Sequence, residues 1–509
     1  MMFLAPRHAT ETVRSAAPHP WLWLAILVAV AVATRAVQYG NPVVHVDDQF
    51  YLLVGDRMLH GALPYVDIWD RKPVGLFLLY AAIRALGGEG FVQYQLVATA
   101  FAVATAFVLG RIALRIAAPA GALLSGVIYL IYLCAFGGEA GQAPVFYNLF
   151  VALAALVTLD AVERIAAGRG GMARGCGAML LMGIALQIKY SAVFEGAYFG
   201  VTLMWATHRA TGRWATTLAR ATVWAGIALA PTVAAWLAYV AIGHGDAFVY
   251  ANFQSIFERG NAPIADTLGR LAGMVLKVSP LAAVAVLGVR RADRGHDHAR
   301  GFVAGWAASA VGGILIFGSY FDHYALPMLV PLAVAAAPLL GRREVGLPMI
   351  GIGRRRRVMP IAAVLIVFAV ALGTVTIAKA RRVRGTGAEQ RAMAAYIAPR
   401  LSGRCLFVYD GETVLYTLTH SCLPTRWPFP DHLNNAREDD AIGIDPLTEV
   451  KRIMATRPPL VVSSLTADDK MNWRTWNYMQ GELRRAYYPA RSWPIGERVR
   501  IVYRRRPGM

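Results

Sequence analysis

Long apolar blocks of similar length recur along this sequence, and they limit what the chain can fold into. Runs of about 15–22 residues carry almost no internal charge, and a helix that crosses a bilayer needs about 20 such residues. Charged residues make up only 16% of the 509 positions, whereas a soluble chain carries about 25%. The blocks therefore predict an all-α polytopic membrane protein with spans at 20–38, 91–109, 119–136, 145–161, 176–189, 191–207, 222–242, 270–289, 302–318, 324–340 and 358–378.

Basic residues between the blocks predict the orientation. With a cytoplasmic N-terminal tail at 1–19, the inside segments hold 20 Lys and Arg against five acids, and the outside loops before the tail hold five against eleven. Cytoplasmic loops carry the basic excess, so the first loop, 39–90, is predicted outside. The short apolar stretch 74–87 is then a juxtamembrane helix, because a crossing there would reverse every later loop. The run RRRR at 354–357 becomes a topology anchor, and no nucleic-acid partner is predicted.

The segment 379–509 has no spanning run and, after eleven crossings, is predicted to lie outside. Strands at 404–409, 459–463 and 498–503 are interspersed with helices at 411–420, 446–457 and 471–486, which is typical of a small α/β domain. Cys405 and Cys422 both belong to this segment. Because an outside compartment is oxidising, the two cysteines can form a disulfide, or they can remain free thiols.

Polar side chains collect at the predicted outer face. Asp47 and Asp48 follow the first span by about nine residues. The same face receives Tyr51, Tyr65, Asp70, Arg71 and Lys72 of the first loop, Glu139 of the second, and Lys189, His323 and Tyr324 at two later turns. Taken singly, most of these are ordinary surface charges, snorkelling lysines or interfacial aromatics. The adjacent aspartates are harder to explain in that way, because ionisable groups at membrane depth are costly and mark functional sites.

These side chains together suit one kind of chemistry. A carboxylate can act as a general base, lysine and arginine can neutralise phosphate oxygens, and aromatic rings can stack on sugars or isoprene chains. The combination predicts transfer of a group from a phosphate-linked lipid carrier.

The first loop also resembles that of the bacterial membrane glycosyltransferases of the GT-C fold. These are relatives of the protein O-mannosyltransferases and of the aminoarabinose transferase that acts on lipid A. Their pattern is Asp-Glu-x-x-Tyr, then Gly-x-x-Pro-Tyr, then Asp-x-Lys-Pro-Pro-Gly, and this chain has DDQFY at 47–51, GALPY at 61–65 and DRKPVG at 70–75. Asp48 replaces the usual Glu, and Val74 replaces the second Pro. The stretches LMGIALQIKY at 181–190 and GSYFDHYALP at 318–327 resemble the family's lysine and His-Tyr spans.

The resemblance implies a GT-C catalytic domain over 20–378 and a periplasmic α/β domain over 379–509. It also implies inverting sugar transfer from a polyprenyl-phosphate donor to a periplasmic acceptor at the bacterial inner membrane. Asp47 would be the base and Asp48 would shape the site. The donor phosphate would contact Lys189, Lys72, Arg71, His323 and Tyr324, and the candidates for further substrate contacts are Tyr51, Tyr65, Asp70 and Glu139.

Cofactor and acceptor remain open at this stage. The aspartate pair could hold a divalent ion, or a lysine beside the phosphate could replace the ion; no other cofactor is implied. The acceptor could be lipid A, a polysaccharide, another lipid or a protein.

Two other functions fit a polytopic chain. A transporter or flippase of lipid-linked saccharides would place its polar residues at mid-membrane and show an internal repeat, whereas here they gather at one face. A scaffold whose outside tail is the working part would leave Asp47 dispensable.

Overall fold

The computed structural model describes residues 19–291, 297–342, 346–349 and 357–508. The predicted cytoplasmic tail at 1–18 and three arginines of the predicted anchor, 354–356, lie outside the described residues. The described chain is mainly helical and ends in a small sheet. The fold class predicted from the apolar blocks is therefore confirmed.

Every predicted span overlaps one helix of the structure. In chain order, the helices of this region are α1 (Pro20–Arg35), α2 (Val46–Leu59), α3 (Val74–Arg84), α4 (Phe91–Ala113), α5 (Pro119–Ala135), α6 (Ala143–Ala166), α7 (Met172–Leu186), α8 (Val193–Thr211), α9 (Trp214–Ala241), α10 (Gly245–Val249), α11 (Ile264–Arg291), α12 (Asp297–Phe317), α13 (Leu329–Leu340) and α14 (Ile361–Arg384). Within the described ranges, seven helical segments are long and apolar enough to cross a bilayer, while α5, α7 and α13 are shorter. The protein is a multi-pass membrane protein, and the number of eleven crossings stays a prediction.

Helix α13 lies at the centre of the membrane region, with every one of its residues buried. It packs against α5 and α11. The contacts are made at glycines, since a Cβ on Gly121 would lie 2.2 Å from the Ala337 carbonyl oxygen and one on Gly288 would lie 2.3 Å from that of Ala335. Small residues that let backbones touch are the usual means of packing helices in lipid, where burial of apolar surface supplies little attraction between helices.

The loop at 39–90 contains two helices, α2 and α3, where the sequence predicted only the second. They pack closely, because a Cβ on Gly55 would lie 2.6 Å from the backbone of Tyr80. Helix α2 has a weak apolar face and carries Asp47 and Asp48 in its first turn. Carboxylates are favoured there by the helix dipole. Helix α2 was not predicted from the sequence, and its stability comes from packing on α3.

The tail forms a four-stranded sheet flanked by helices. Its elements are α15 (Gly387–Ile397), β3 (Phe407–Val408), α16 (Val414–Leu418), α17 (Asp431–Asn434), α18 (Pro446–Ala455), β4 (Leu460–Ser464), α19 (Trp473–Ala486), β5 (Tyr487–Ile495) and β6 (Arg498–Arg505); β1 (Gly346–Met349) and β2 (Arg357–Pro360) form a separate hairpin. The strand order is β3-β4-β6-β5, with β3 and β4 parallel and the other pairs antiparallel.

Two details of the tail differ from the prediction. The strand predicted at 404–409 is reduced to two residues, and β5 was not predicted at all. Strand β5 contains Pro489 and Pro494, which argue against a central strand. It lies at the sheet edge with a register shift at Pro489, and an edge strand tolerates proline because its outer N–H groups have no partner.

The tail packs against the loop at 39–90. Gln49 donates to the Glu412 carboxylate at 2.9 Å and accepts from the Val414 N–H at 3.2 Å, and Arg57 donates to the Ser421 carbonyl at 2.6 Å. A disulfide joins Cys405 to Cys422 beside this contact. Hydrogen bonds to the tail therefore hold helix α2, which carries the aspartate pair, in position.

Candidate active site

Asp48 is the buried member of the aspartate pair. Its Oδ2 accepts a hydrogen bond from the Gly141 N–H at 2.9 Å, and its Oδ1 has no hydrogen-bond partner in the described part of the chain. Burial raises the pKa of Asp48 to about 7, with the neighbouring Asp47 adding to the effect and His45 opposing it. Asp48 is thus a carboxyl group that holds its proton more strongly than a solvated aspartate does.

Asp47 faces a different environment. It is partly exposed, and its Oδ2 accepts from Gln142 Nε2 at 3.2 Å. Burial alone would raise the pKa of Asp47, but Lys72, Lys189 and the Gln142 hydrogen bond outweigh it and hold the pKa below the usual value. Two adjacent acids whose environments separate their pKa values in this way are a mark of acid–base sites.

Two lysines from distant parts of the chain approach Asp47. Lys72 lies 3.8 Å from Asp70 Oδ2 and 5.6 Å from the centroid of the Tyr51 ring. Lys189 follows the end of α7 and lies 4.4 Å from the centroid of the Tyr324 ring. Both ammonium groups act electrostatically on the Asp47 carboxylate, so the acid and the two cations share one site.

His323 and Tyr324 complete this side of the site. Their rings meet edge to face with centroids 4.7 Å apart, and His323 also stacks on Phe321 at 5.9 Å. Burial lowers the pKa of His323 to about 3, with Lys189 acting in the same direction. The imidazole is therefore neutral and can both donate and accept a hydrogen bond.

Arg71 does not join this group, although Lys72 is its neighbour in sequence. Its guanidinium donates to Glu438 of the tail at 2.7 Å and to the Ala441 carbonyl at 3.0 Å. Arg259 binds the other oxygen of Glu438 at 2.6 Å. Arg71 thus ties the loop to the tail and is already paired.

Glu139 does not join Asp47 and the two lysines. It is buried and lies 3.5 Å from His45 Nε2. Burial would lower the pKa of His45, but Glu139 outweighs it and the pKa is raised. A Cβ on Gly137, whose φ is +77°, would lie 2.9 Å from the His45 ring, so this turn requires glycine.

Tyr51, Tyr65 and Asp70 are buried and hold the loop in place. The Tyr65 hydroxyl donates to the Lys72 carbonyl at 2.8 Å, and the Asp70 carboxylate accepts from the Arg71 N–H at 2.7 Å. Tyr51 packs against Tyr80 with ring centroids 5.5 Å apart. Tyr51 and Asp70 are also in contact with the Lys72 side chain.

No protein-family model and no curated protein sequence matches this chain. Solved structures do match it. ArnT from Cupriavidus metallidurans in the apo state superposes with a TM-score of 0.65 at 15% sequence identity, over 95% of this chain and 98% of that one. ArnT from the same organism bound to undecaprenyl phosphate gives 0.60 at 14% identity, over 95% and 97% of the two chains. The chain has the GT-C fold.

Two basic residues in this GT-C fold were missed by sequence reasoning. Arg270 lies 4.4 Å over the Phe321 ring, and its Nη1 is buried with no hydrogen-bond partner in the described ranges. Lys277 pairs with Asp322 at 2.6 Å, one residue before His323. Both fall within the span predicted at 270–289, and a charge inside an apolar block is itself a signal of a functional or paired group.

The aspartate pair of the GT-C site does not converge on one point, because Asp47 is directed to Gln142 and Asp48 to Gly141. Within the described residues, no three His, Cys, Asp or Glu side chains come together as a candidate metal site. A divalent ion therefore stays an expectation of the sequence.

Proposed function

We propose that the protein is an inverting glycosyltransferase that moves a sugar from a polyprenyl-phosphate donor to a periplasmic acceptor. The observation that carries this proposal is the placement of Lys72 beside Asp70 and Tyr51 and of Lys189 over Tyr324, where both act electrostatically on Asp47. A base beside two cations suits attack by an acceptor hydroxyl on a sugar whose leaving group is a phosphate. The ArnT structure with undecaprenyl phosphate supports a lipid-linked donor of this class.

The reaction assigns a role to each group. The acceptor hydroxyl attacks the anomeric carbon from the face opposite the phosphate, Asp47 takes the hydroxyl proton, and the bond from the anomeric carbon to the phosphate oxygen breaks with both electrons leaving on the phosphate. Lys72 and Lys189 stabilise the negative charge that develops there, and in many enzymes such electrostatic stabilisation contributes more to the rate than any other effect. Arg270, with its unpartnered nitrogen, is a further candidate for the phosphate.

Donor binding also prepares the base. In the free site the lysines hold the pKa of Asp47 low, which makes it a weak base. The donor phosphate is a diester with one negative charge, and that charge beside the lysines offsets part of their effect and raises the pKa of Asp47 toward neutral, where a general base works best. The free carboxylate therefore becomes an effective base once the donor is bound.

The same proposal places the protein in the bacterial inner membrane with the N-terminus cytoplasmic and the tail periplasmic. The support is the excess of basic residues in the segments predicted inside. A transporter is less favoured, because Asp47, Lys72 and His323 lie in loops or turns and Lys189 is the last residue of its predicted span.

The test is Asp47→Asn. We expect sugar transfer from a polyprenyl-phosphate donor to fall by at least about 100-fold, because a positioned base contributes about 10²–10⁴-fold. Asp266→Asn is the matched control, since Asp266 is an exposed carboxylate in the first turn of α11 and should keep full activity. Transfer within about twofold of wild type in a normally inserted Asp47→Asn protein would reject the proposal.

A further inference from the structure

A cleft in the tail is lined by an unusual number of arginines. It lies between the end of α15, the start of β4 and the end of β6. Its basic residues are Arg400, Arg404, Arg457, Arg504, Arg505 and Arg506. No acidic residue lines the cleft in the part of the chain that the structure describes.

These arginines differ from several others in the tail, which are paired with carboxylates. Arg498 and Arg500 bind Asp410 at 2.7 Å and 2.5 Å, and Arg452 binds Glu449 at 2.5 Å. Among the described residues, by contrast, none of the six cleft arginines forms an ion pair with a carboxylate. Like charges held together repel one another, so the fold itself gains nothing from gathering them.

Two members of the cluster are held in place before any ligand binds. Arg404 donates to the carbonyls of Thr456, at 3.0 Å, and Arg457. Arg400 donates to the Tyr396 carbonyl at 2.7 Å and stacks on the Tyr396 ring at 3.9 Å. Side chains positioned in this way lose less conformational freedom on binding.

The cleft is remote from the point where the chain leaves its last predicted span. The turn of the β5–β6 hairpin touches the end of α14, since Glu497 pairs with Arg382 at 3.1 Å and a Cβ on Gly496 would lie 2.2 Å from the Val383 carbonyl oxygen. Arg504 and Arg505 lie at the other end of β6, about 20 Å away at about 3.3 Å per residue. This separation favours a ligand that is not a headgroup of the bilayer around α14.

We infer that the arginine cleft binds a phosphate-bearing saccharide, the acceptor class of the proposed transferase. The planar guanidinium forms paired hydrogen bonds with phosphate, and several of them together give both affinity and salt dependence. The inference rests on the proposed function for its outside location and for the saccharide class. Binding at the cleft itself involves no transfer step, so it can be measured separately.

The experiment measures binding of glucose 1,6-bisphosphate to the full-length protein in phosphatidylcholine nanodiscs at low ionic strength, with glucose as the uncharged comparison. Arg504→Gln/Arg506→Gln removes two exposed cleft charges. Lys451→Gln/Arg484→Gln removes two exposed charges elsewhere in the tail and is the matched control. We expect the cleft variant to bind at least about tenfold more weakly, because it loses charge-assisted hydrogen bonds to the phosphates, and the control to stay within twofold.

Three results would overturn the inference. One is equal loss in both double variants, a second is no binding of the sugar phosphate by the wild type, and a third is a cleft effect seen only with nanodiscs containing phosphatidylglycerol, which would make the ligand a lipid headgroup. Asp47→Asn should bind the probe as the wild type does. A transferase that is active but does not bind the probe would reject this inference alone, and intact binding with an inactive reaction would reject the proposed function alone.

Discussion

At the scale of single residues, the aspartate pair shows how one helix turn can place two identical carboxyl groups in different environments. Asp47 and Asp48 are adjacent, yet one meets two lysines and the other a backbone N–H in a buried position. Neighbouring residues on a helix point about 100° apart, so a single turn exposes one carboxylate to the site and buries the other.

The raised pKa of Asp48 leads to a prediction about pH. Its pKa is about 7 in the folded protein against 3.8 in the unfolded chain, so the folded state binds more protons between those values. Stability must then fall as pH rises from about 4 to 7 and level off above. We expect the wild type to melt at a lower temperature at pH 8 than at pH 5, by thermal unfolding in detergent.

Asp48→Asn is the variant that isolates this effect, because asparagine can still accept from the Gly141 N–H and does not titrate. The difference in melting temperature between pH 5 and pH 8 should shrink in the variant. An unchanged difference would show that other groups cause it and that Asp48 is charged at neutral pH.

At the scale of elements, the contact of α13 with α5 depends on a glycine. A Cβ at Gly121 would lie 2.2 Å from the Ala337 carbonyl oxygen, and backbone cannot move aside as a side chain can. We expect Gly121→Ala to lower the melting temperature in detergent, because overpacking costs about 1–3 kcal/mol.

Gly226→Ala in α9 provides the comparison, since nothing lies within 4 Å of its Cβ position. Alanine is favoured over glycine within a helix by about 1 kcal/mol, so this control should be as stable as the wild type or slightly more so. Equal melting of the two variants would contradict the close packing of α5 on α13.

At the scale of the whole molecule, Glu438 joins three distant segments. It lies in the tail and binds Arg71 of the first loop and Arg259 of the loop before α11, and its side chain is 3% exposed. Burial alone would raise the pKa of Glu438, but Arg71 and Arg259 outweigh it and lower the pKa to about 2. The stabilising contribution is complete above about pH 4.5 and is lost as pH falls toward 2.

We expect Glu438→Gln to loosen the tail and to reduce transfer, because it leaves two arginines unpaired and frees the loop that carries Lys72. Removing one partner of a buried ion pair costs about 3–5 kcal/mol. Limited proteolysis at neutral pH, together with the transfer assay, measures both effects. Glu482→Gln, which removes a pair whose arginine, Arg485, is exposed, should change neither. Proteolysis of Glu438→Gln at the wild-type rate would show that the tail is held by other contacts.

Sequence by itself determined that the chain is a multi-pass membrane protein, and it predicted the face on which the polar residues gather. The length of each apolar block and the placement of basic residues are local properties, and the bilayer acts on them directly. For the same reason the aspartate pair could be placed beside the first span. Helix α2 escaped prediction because its pattern has no clear apolar face.

Only the tertiary structure decided which cation faces which acid. Lys72 turns toward Asp47, whereas Arg71, one residue earlier, turns to Glu438 of the tail, 367 positions further along the chain. The direction of a side chain in an irregular loop is set by its partners in the folded protein. No periodic pattern in the surrounding residues encodes these partners. The cleft arginines likewise come from three separate stretches of the tail, and only the packing of its sheet and helices brings them together.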